Sequence, residues 1–258
     1  MKFECEVWPE ELAKSLIRAA GQSEELTGEM VSALYWLRTA AENPLNQTYF
    51  RTFYRVLEAL AKSIPEDTEY ATGEANTLAK LMRDSSRVLV MGHRFADLDA
   101  VGAAVGVCCI ARSCGVRANI VIDSNKNAAH ALIEHMRTEA EYKDCFISPQ
   151  DALLRADGRT LLVVVDTSRP EQVENPELLS ICSRVAVIDH HRVAATYIQN
   201  AALGFIEAYA SSACELIAEM LQELIEIGDI LKCEADAMLA GIVLDTKSFT
   251  LRTGDRTF

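Results

Sequence analysis

The chain has 258 residues, 50% of them hydrophobic, and a formal net charge of −13. That length suits one large domain, or a medium domain with a small one. The acidic balance argues against long nucleic acid, whose non-specific binding runs on Lys and Arg neutralising phosphates. A small anionic ligand stays open if metal ions or local arginines supply the positive charge.

The first residues, MKFECEVWPEE, lack the basic start and apolar run of a signal peptide. No run of about 18 apolar residues follows, so no membrane segment is expected and the chain reads as cytoplasmic. Its eight cysteines form no C-x-x-C pair and meet no histidine at zinc-finger spacing, so free thiols are expected.

Residues 1–70 read as a helical segment: PEELAKSLIRAAG, EELTGEMVSALYWLRTAAEN and TYFRTFYRVLEALAKSI. Pro9 suits a first helical turn, with Glu10 and Glu11 near the positive end of the dipole. Met30, Leu34 and Leu37, then Phe53, Val56, Leu57 and Leu60, recur at the spacing of a packing face. The stretch SIPEDTEYATGE is polar, holds a Pro and a Gly, and reads as a linker.

From about residue 75 to 258 short apolar runs alternate with helical ones. Strands are predicted over 87–93, 118–123, 160–166 and 184–190, with helices AVGAAVGVCCIARSCG, AAHALIEHMRTEA and PELLSICS between them. SSACELIAEMLQELIEIG and EADAMLAGIVLDTKS follow as further helices. Near-continuous Val, Leu and Ile runs mark strands buried on both faces. The expected fold class is therefore α/β, a parallel β-sheet with helices on both faces. Gly102 is expected to let its helix pack closely against the sheet.

Three of the strands end in potential ligands. His93, Asp97 and Asp99 follow the first, Asp166 ends the third, and Asp189, His190 and His191 end the fourth. Asp123, after the second, has no partner pattern and reads as a turn residue. His130 and His135 read as structural. Open parallel sheets bind ligands beyond the carboxyl ends of their strands, so these groups should converge at one edge. Converging ionised carboxylates repel and cannot be buried unpaired. Carboxylate and imidazole donors without thiolate suit Mn²⁺, with Mg²⁺ or Fe²⁺ as alternatives. Such a set can hold two ions about 4 Å apart with one Asp bridging them.

HxxxDxD, a strand-end Asp and DHH, in that order, resemble the DHH phosphoesterase superfamily. Within it the segments VLVMGHRFADLDAVGAAVG, LLVVVDTSRPEQVEN, VAVIDHHR, EAYASSACELIAEML and MLAGIVLDTKSFTLRTGDRTF are most similar to the GdpP-type cyclic-di-AMP phosphodiesterases. The resemblance covers about residues 75–258. It implies one metal at His93, Asp97 and Asp166, and a second at Asp99, Asp166, His190 and Asp245. It makes Asp189 and His191 groups that orient the ligands and help bind phosphate.

Ser211 and Ser212 open a helix, so their hydroxyls and N–H groups could hold a phosphate or simply cap the helix. Lys247, Arg252 and Arg256 are the basic groups nearest Asp245 and could clamp a phosphate or stay solvated. GdpP-type proteins carry membrane helices, a PAS domain and a degenerate GGDEF domain before the DHH domain, and a DHHA1 lobe after it. Residues 1–70 match none of these, and no GGGH-like run occurs. The expectation is a complete metal site with the DHHA1 half of the cleft missing.

The resemblance implies hydrolysis of a small nucleotide, cyclic di-AMP, to a linear dinucleotide by a water activated between two metal ions. The rivals are hydrolysis of short oligonucleotides or pyrophosphate, and a silent module that binds metal and nucleotide without turnover. A homodimer is left open.

Overall fold

The computed structural model describes residues 69–253 and residue 257; the helical segment expected at the N-terminus and Arg256 lie outside the described residues. The compact unit that contains the described residues begins at Thr68. Among the described residues, no helix is long and apolar enough to cross a membrane.

The elements run α1 (Glu69–Arg83), β1 (Arg87–Met91), α2 (Leu98–Ser113), β2 (Ala118–Val121), α3 (His130–Met136), β3 (Phe146–Ile147) and α4 (Pro149–Arg155). They continue with β4 (Thr160–Val165), α5 (Leu178–Ile181), β5 (Arg184–Asp189), β6 (Leu203–Ile206), α6 (Ala213–Leu224) and α7 (Lys232–Asp245), with a short 3₁₀ turn at Ile227–Asp229. The six strands form one parallel sheet in the order β3-β2-β1-β4-β5-β6. The chain steps outward from β1 to β3, then crosses back to place β4 on the other side of β1. The crevice between β1 and β4 is the switch point where α/β sheets hold ligands.

The strand sequences explain the layering. β4, TLLVVV, is buried along its whole length. Leu161, Val163 and Val165 face one core with Val88, Val90, Ile188 and the apolar sides of α1, α2 and α6. Leu162 and Val164 face the other core with Leu89, Met91, Val187 and Leu178 of α5. The sheet therefore carries helices on both faces, as the alternation of elements implied.

Four differences from the sequence reading have local causes. The polar stretch read as a linker is helical from Glu69, where α1 begins, and Ala75, Leu78 and Met82 of that helix are wholly buried. β3 is two residues long, too short to show a period, and β6 carries a glycine and an exposed position. α4 was overlooked although Ser148 caps it through the Asp151 N–H and Pro149 opens it. Finally, Gly102 serves packing between helices and not packing on the sheet. A Cβ there would fall 2.5 Å from the Ala237 carbonyl oxygen of α7 and 2.8 Å from Cys214 Sγ of α6. At Gly241 of α7 it would meet Cys214 Sγ at 2.5 Å and the Asp99 Cα at 2.8 Å. Only hydrogen at these positions lets α7 lie on α2 this closely, and that contact carries Asp245 to the sheet edge.

Candidate metal centre

Each acidic or imidazole group at the carboxyl edge is placed by a different piece of secondary structure. Asp97 is the N-cap of α2, and its Oδ1 accepts hydrogen bonds from the N–H groups of Asp99 (3.0 Å) and Ala100 (3.1 Å). Asp99, two residues on in the first turn, is fully buried. Its carboxylate accepts from the N–H of Ala213 at 2.7 Å and of Cys214 at 2.9 Å. The positive end of α6 is thus spent on a carboxylate of the chain itself.

Of the two roles open to Ser211 and Ser212, phosphate binding or helix capping, that arrangement favours the second. Both are fully buried. Ser212 Oγ accepts from the Glu215 N–H at 3.0 Å as an ordinary N-cap, and Ser211 Oγ donates to the Glu215 carboxylate. The first N–H groups of α6 point at Asp99 and not at open space.

Asp166 follows β4 with φ 59°, a left-handed conformation in which Asp is among the better tolerated residues. Its N–H donates to the Ile188 carbonyl at 3.0 Å, which locks this turn against β5. One carboxylate oxygen, Oδ2, lies 3.4 Å from His93 Nε2; the other, Oδ1, lies 3.3 Å from His190 Nε2. His93 Nε2 is also 3.8 Å from Asp97 Oδ1. His190 Nε2 is also 3.7 Å from Asp99 Oδ2 and 3.3 Å from Asp245 Oδ2.

The donor atoms of His93, Asp97 and Asp166 all lie within 4.8 Å of one another, as do those of Asp99, His190 and Asp245. Two triads therefore sit side by side, with one oxygen of Asp166 turned to each. His190 Nε2 and Asp166 Oδ1 are buried without a hydrogen-bond partner. Buried polar atoms left unpaired are costly and rare. Hard oxygen donors mixed with imidazole, crowded and unsatisfied, fit divalent cations of the Mn²⁺, Mg²⁺ or Fe²⁺ kind.

The electrostatics agree. Burial works against a proton on His93, yet Asp166 and Asp97 outweigh it and hold the imidazole up to about 10. Burial likewise opposes protonation of His190, but Asp166, Asp99 and Asp245 raise it to about 9. Burial, followed by the charge of Asp166, raises Asp99, and burial raises Asp245. Among protein groups alone, protons on the two imidazoles supply the positive charge this cluster demands.

Asp189 and His191 pair beside this cluster, and the His191 Nδ1 also lies 3.7 Å from Asp166 Oδ1, so that Asp166, His190 and His191 form a third close group of donors. Burial opposes ionisation of Asp189, but His191 holds its carboxylate below the usual range. His191 Nδ1 donates to Asp189 Oδ1 at 2.9 Å, and the His191 N–H adds a bond of 3.1 Å to the same oxygen. The ring is half-exposed and borders a cavity of about 450 Å³. His93, Asp97, Asp166 and Asp245 line the same cavity; Thr167, Arg169, Gln172 and Arg252 complete its wall. Of the predicted phosphate clamps, Arg252 therefore borders the cavity and Lys247 does not, while Arg256 lies outside the described residues. Thr167, Arg169 and Gln172 were not singled out from sequence. The available signal was the run DTSRPEQ directly after a strand-end Asp.

Comparison with known proteins identifies the family. The family model described as "DHH family, N-terminal domain" matches residues 87–242. The cyclic-di-AMP phosphodiesterase GdpP of Geobacillus thermodenitrificans is 42% identical over 186 residues, 71% of this chain and 28% of that protein. A probable manganese-dependent inorganic pyrophosphatase of Streptococcus mutans is 28% identical over 174 residues, 66% of this chain and 52% of that protein. The solved structure of an exopolyphosphatase-related protein from Bacteroides fragilis shares the fold, with a TM-score of 0.59 at 19% identity. It is matched over 71% of this chain and 53% of its own. The chain thus spans little more than a quarter of the GdpP relative. With a family model covering more than half of its residues, and a phosphodiesterase relative matched across the same segment, this chain belongs to the DHH family.

Proposed function

We propose that this chain hydrolyses a phosphodiester of a small cyclic nucleotide, cyclic di-AMP, to a linear dinucleotide, using two divalent cations, manganese first among them. The observation that carries the reading is Asp166, whose two oxygens each face a different imidazole at 3.4 and 3.3 Å. The name of the GdpP relative supports the substrate, and that of the pyrophosphatase relative supports manganese.

His93, Asp97 and Asp166 would hold one ion; Asp99, Asp166, His190 and Asp245 would hold the other. Bound there, the pair would supply an acidified water and neutralise charge on the phosphoryl group. The chain's own groups prepare this site before a substrate arrives. Asp97 and Asp99 are held by helix N–H groups, so their carboxylates need no reorganisation at the moment of reaction. Asp189 fixes the His191 ring through Nδ1, and that ring, which borders the cavity, would give a proton to the leaving oxygen. Arg252, on the cavity wall, would contact the phosphate.

The test is a panel of cyclic di-AMP, linear dinucleotide, short oligonucleotides and pyrophosphate with added Mn²⁺. Cyclic di-AMP should be turned over fastest, with the linear dinucleotide as product. The pyrophosphatase relative gives a second reading a specific footing. Preferential release of phosphate from pyrophosphate would establish that reading and defeat the first. Metal binding with no turnover of any panel member would mark a silent binding module.

A further inference from the structure

Within the cavity wall one cation stands apart. We infer that Arg169 grips a substrate phosphate beside the cation pair; the inference rests on the two-cation reading above.

Arg169 lies three residues after Asp166 and is only partly exposed on the cavity wall. Its backbone is pinned on both sides. The Arg169 N–H donates to Thr167 Oγ1 at 3.2 Å, and its carbonyl accepts from the Gln172 N–H at 3.0 Å. The neighbouring Ser168 carbonyl accepts from the Ile198 N–H at 2.8 Å. The far end of the loop is tied to the His93 segment by Arg94 N–H to Gln172 O at 2.8 Å and Glu174 N–H to Gly92 O at 3.0 Å. Val173 also bridges His93. The loop that carries Arg169 is thus fastened to the same backbone that places a metal-ligand candidate. A guanidinium on such a base pays less ordering entropy on binding than one on a loose loop.

The guanidinium is not spoken for. Among the described residues it makes no ion pair within 4.0 Å. Glu171 feels its charge, but that carboxylate is exposed and accepts from Thr196 Oγ1 at 2.9 Å. Two divalent ions would balance the four ligand carboxylates. Among the described residues that line the cavity, the arginine and lysine side chains are those of Arg169 and Arg252. Arg252 is exposed on the turn after α7, whereas Arg169 is half-buried on the pinned loop. The planar fork of an arginine matches two oxygens of one phosphate, which a lysine cannot do.

The test is calorimetric binding of adenosine monophosphate to the Mn²⁺-loaded chain, with adenosine as the arm that lacks a phosphate. Arg169→Ala should weaken binding of the monophosphate about 10- to 100-fold, as expected for losing charge-assisted hydrogen bonds. Adenosine binding and Mn²⁺ affinity should stay within about three-fold of wild type on the same physical grounds, since neither uses this side chain. Arg169→Lys, which keeps the charge and the fold, should recover part of the loss. Unchanged monophosphate affinity in Arg169→Ala overturns the inference, and so does a parallel loss of Mn²⁺ binding, which would mark a structural role. Failure of the wild type to hydrolyse cyclic di-AMP, with monophosphate binding still dependent on Arg169, would sink the substrate reading and leave this inference standing.

Discussion

The two ends of the α2–α7 pair both bury charge, and they resolve it in opposite ways. At one end Glu234, fully buried, has every lone pair answered: Arg112 at 2.7 Å, the Tyr142 hydroxyl at 2.6 Å and the Leu231 N–H at 2.8 Å. At the other end Asp99, Asp166, His190 and Asp245 crowd together, and His190 Nε2 and Asp166 Oδ1 have no hydrogen-bond partner. A buried charge that serves the fold is closed off by donors from the chain. A buried charge left with open valences is one that the chain's own donors do not close off. Both ends sit on the same helices, so the difference belongs to the site and not to the architecture.

The contrast is sharpest if each end is disabled in turn. Asp166→Asn should lower turnover of cyclic di-AMP by at least about 100-fold, since even residues that merely support metal ligands cost about 10- to 100-fold. Its melting temperature without Mn²⁺ should shift less than that of Glu234→Gln, because relief of repulsion on Asp99 and Asp245 offsets the lost attraction to His93 and His190. Steady-state kinetics and thermal melts check both halves. Glu234→Gln should do the reverse, losing about 1–3 kcal/mol of stability through unsatisfied partners at Arg112 and Tyr142. Its Mn²⁺ affinity should be intact. A Glu234→Gln variant as stable as wild type would break the comparison.

Gly241→Ala joins the two ends and should have a smaller, mixed effect. Its Cβ would press on Asp99 and Cys214, costing about 1–3 kcal/mol of overpacking. It should also weaken one of the Mn²⁺ sites by displacing Asp99, while Gly158→Ala, in open space, does neither. The last contrast is in the pH response. The imidazoles of His93 and His190 are held up to about 10 and 9, so at neutral pH an ion must displace their protons. Mn²⁺ affinity should therefore rise with pH between about 6 and 9, by up to about ten-fold per unit for each proton released. Titrations in buffers of different ionisation enthalpy count those protons. A flat profile would show that the ions do not bind through these imidazoles.

Much of this was legible before any coordinates. The strand-end positions of His93, Asp166 and His190 follow from apolar runs that stop at polar residues, and a parallel sheet then brings those ends together. Asp245 was not legible from pattern alone, because it ends a helix and reaches the cluster only through the close packing at Gly102 and Gly241. It also lies just beyond the segment matched by the family model. Which of the two roles open to Ser211 and Ser212 holds was not legible for a related reason. A sequence shows a helix N-terminus but not which anion faces it, and here Asp99, more than 100 residues earlier in the chain, takes the place expected for phosphate. Arg169 was passed over because a single arginine in a loop has no periodicity to mark it.

The central claim is that Asp166 joins two cation sites, and calorimetric titration with Mn²⁺ tests it most directly. The wild-type chain should bind two ions and melt at higher temperature as they bind, since a ligand specific to the folded state stabilises it by mass action. Asp166→Asn should retain at most one tight ion and lose most of that stabilisation. Two undiminished Mn²⁺ sites in both proteins would contradict the account.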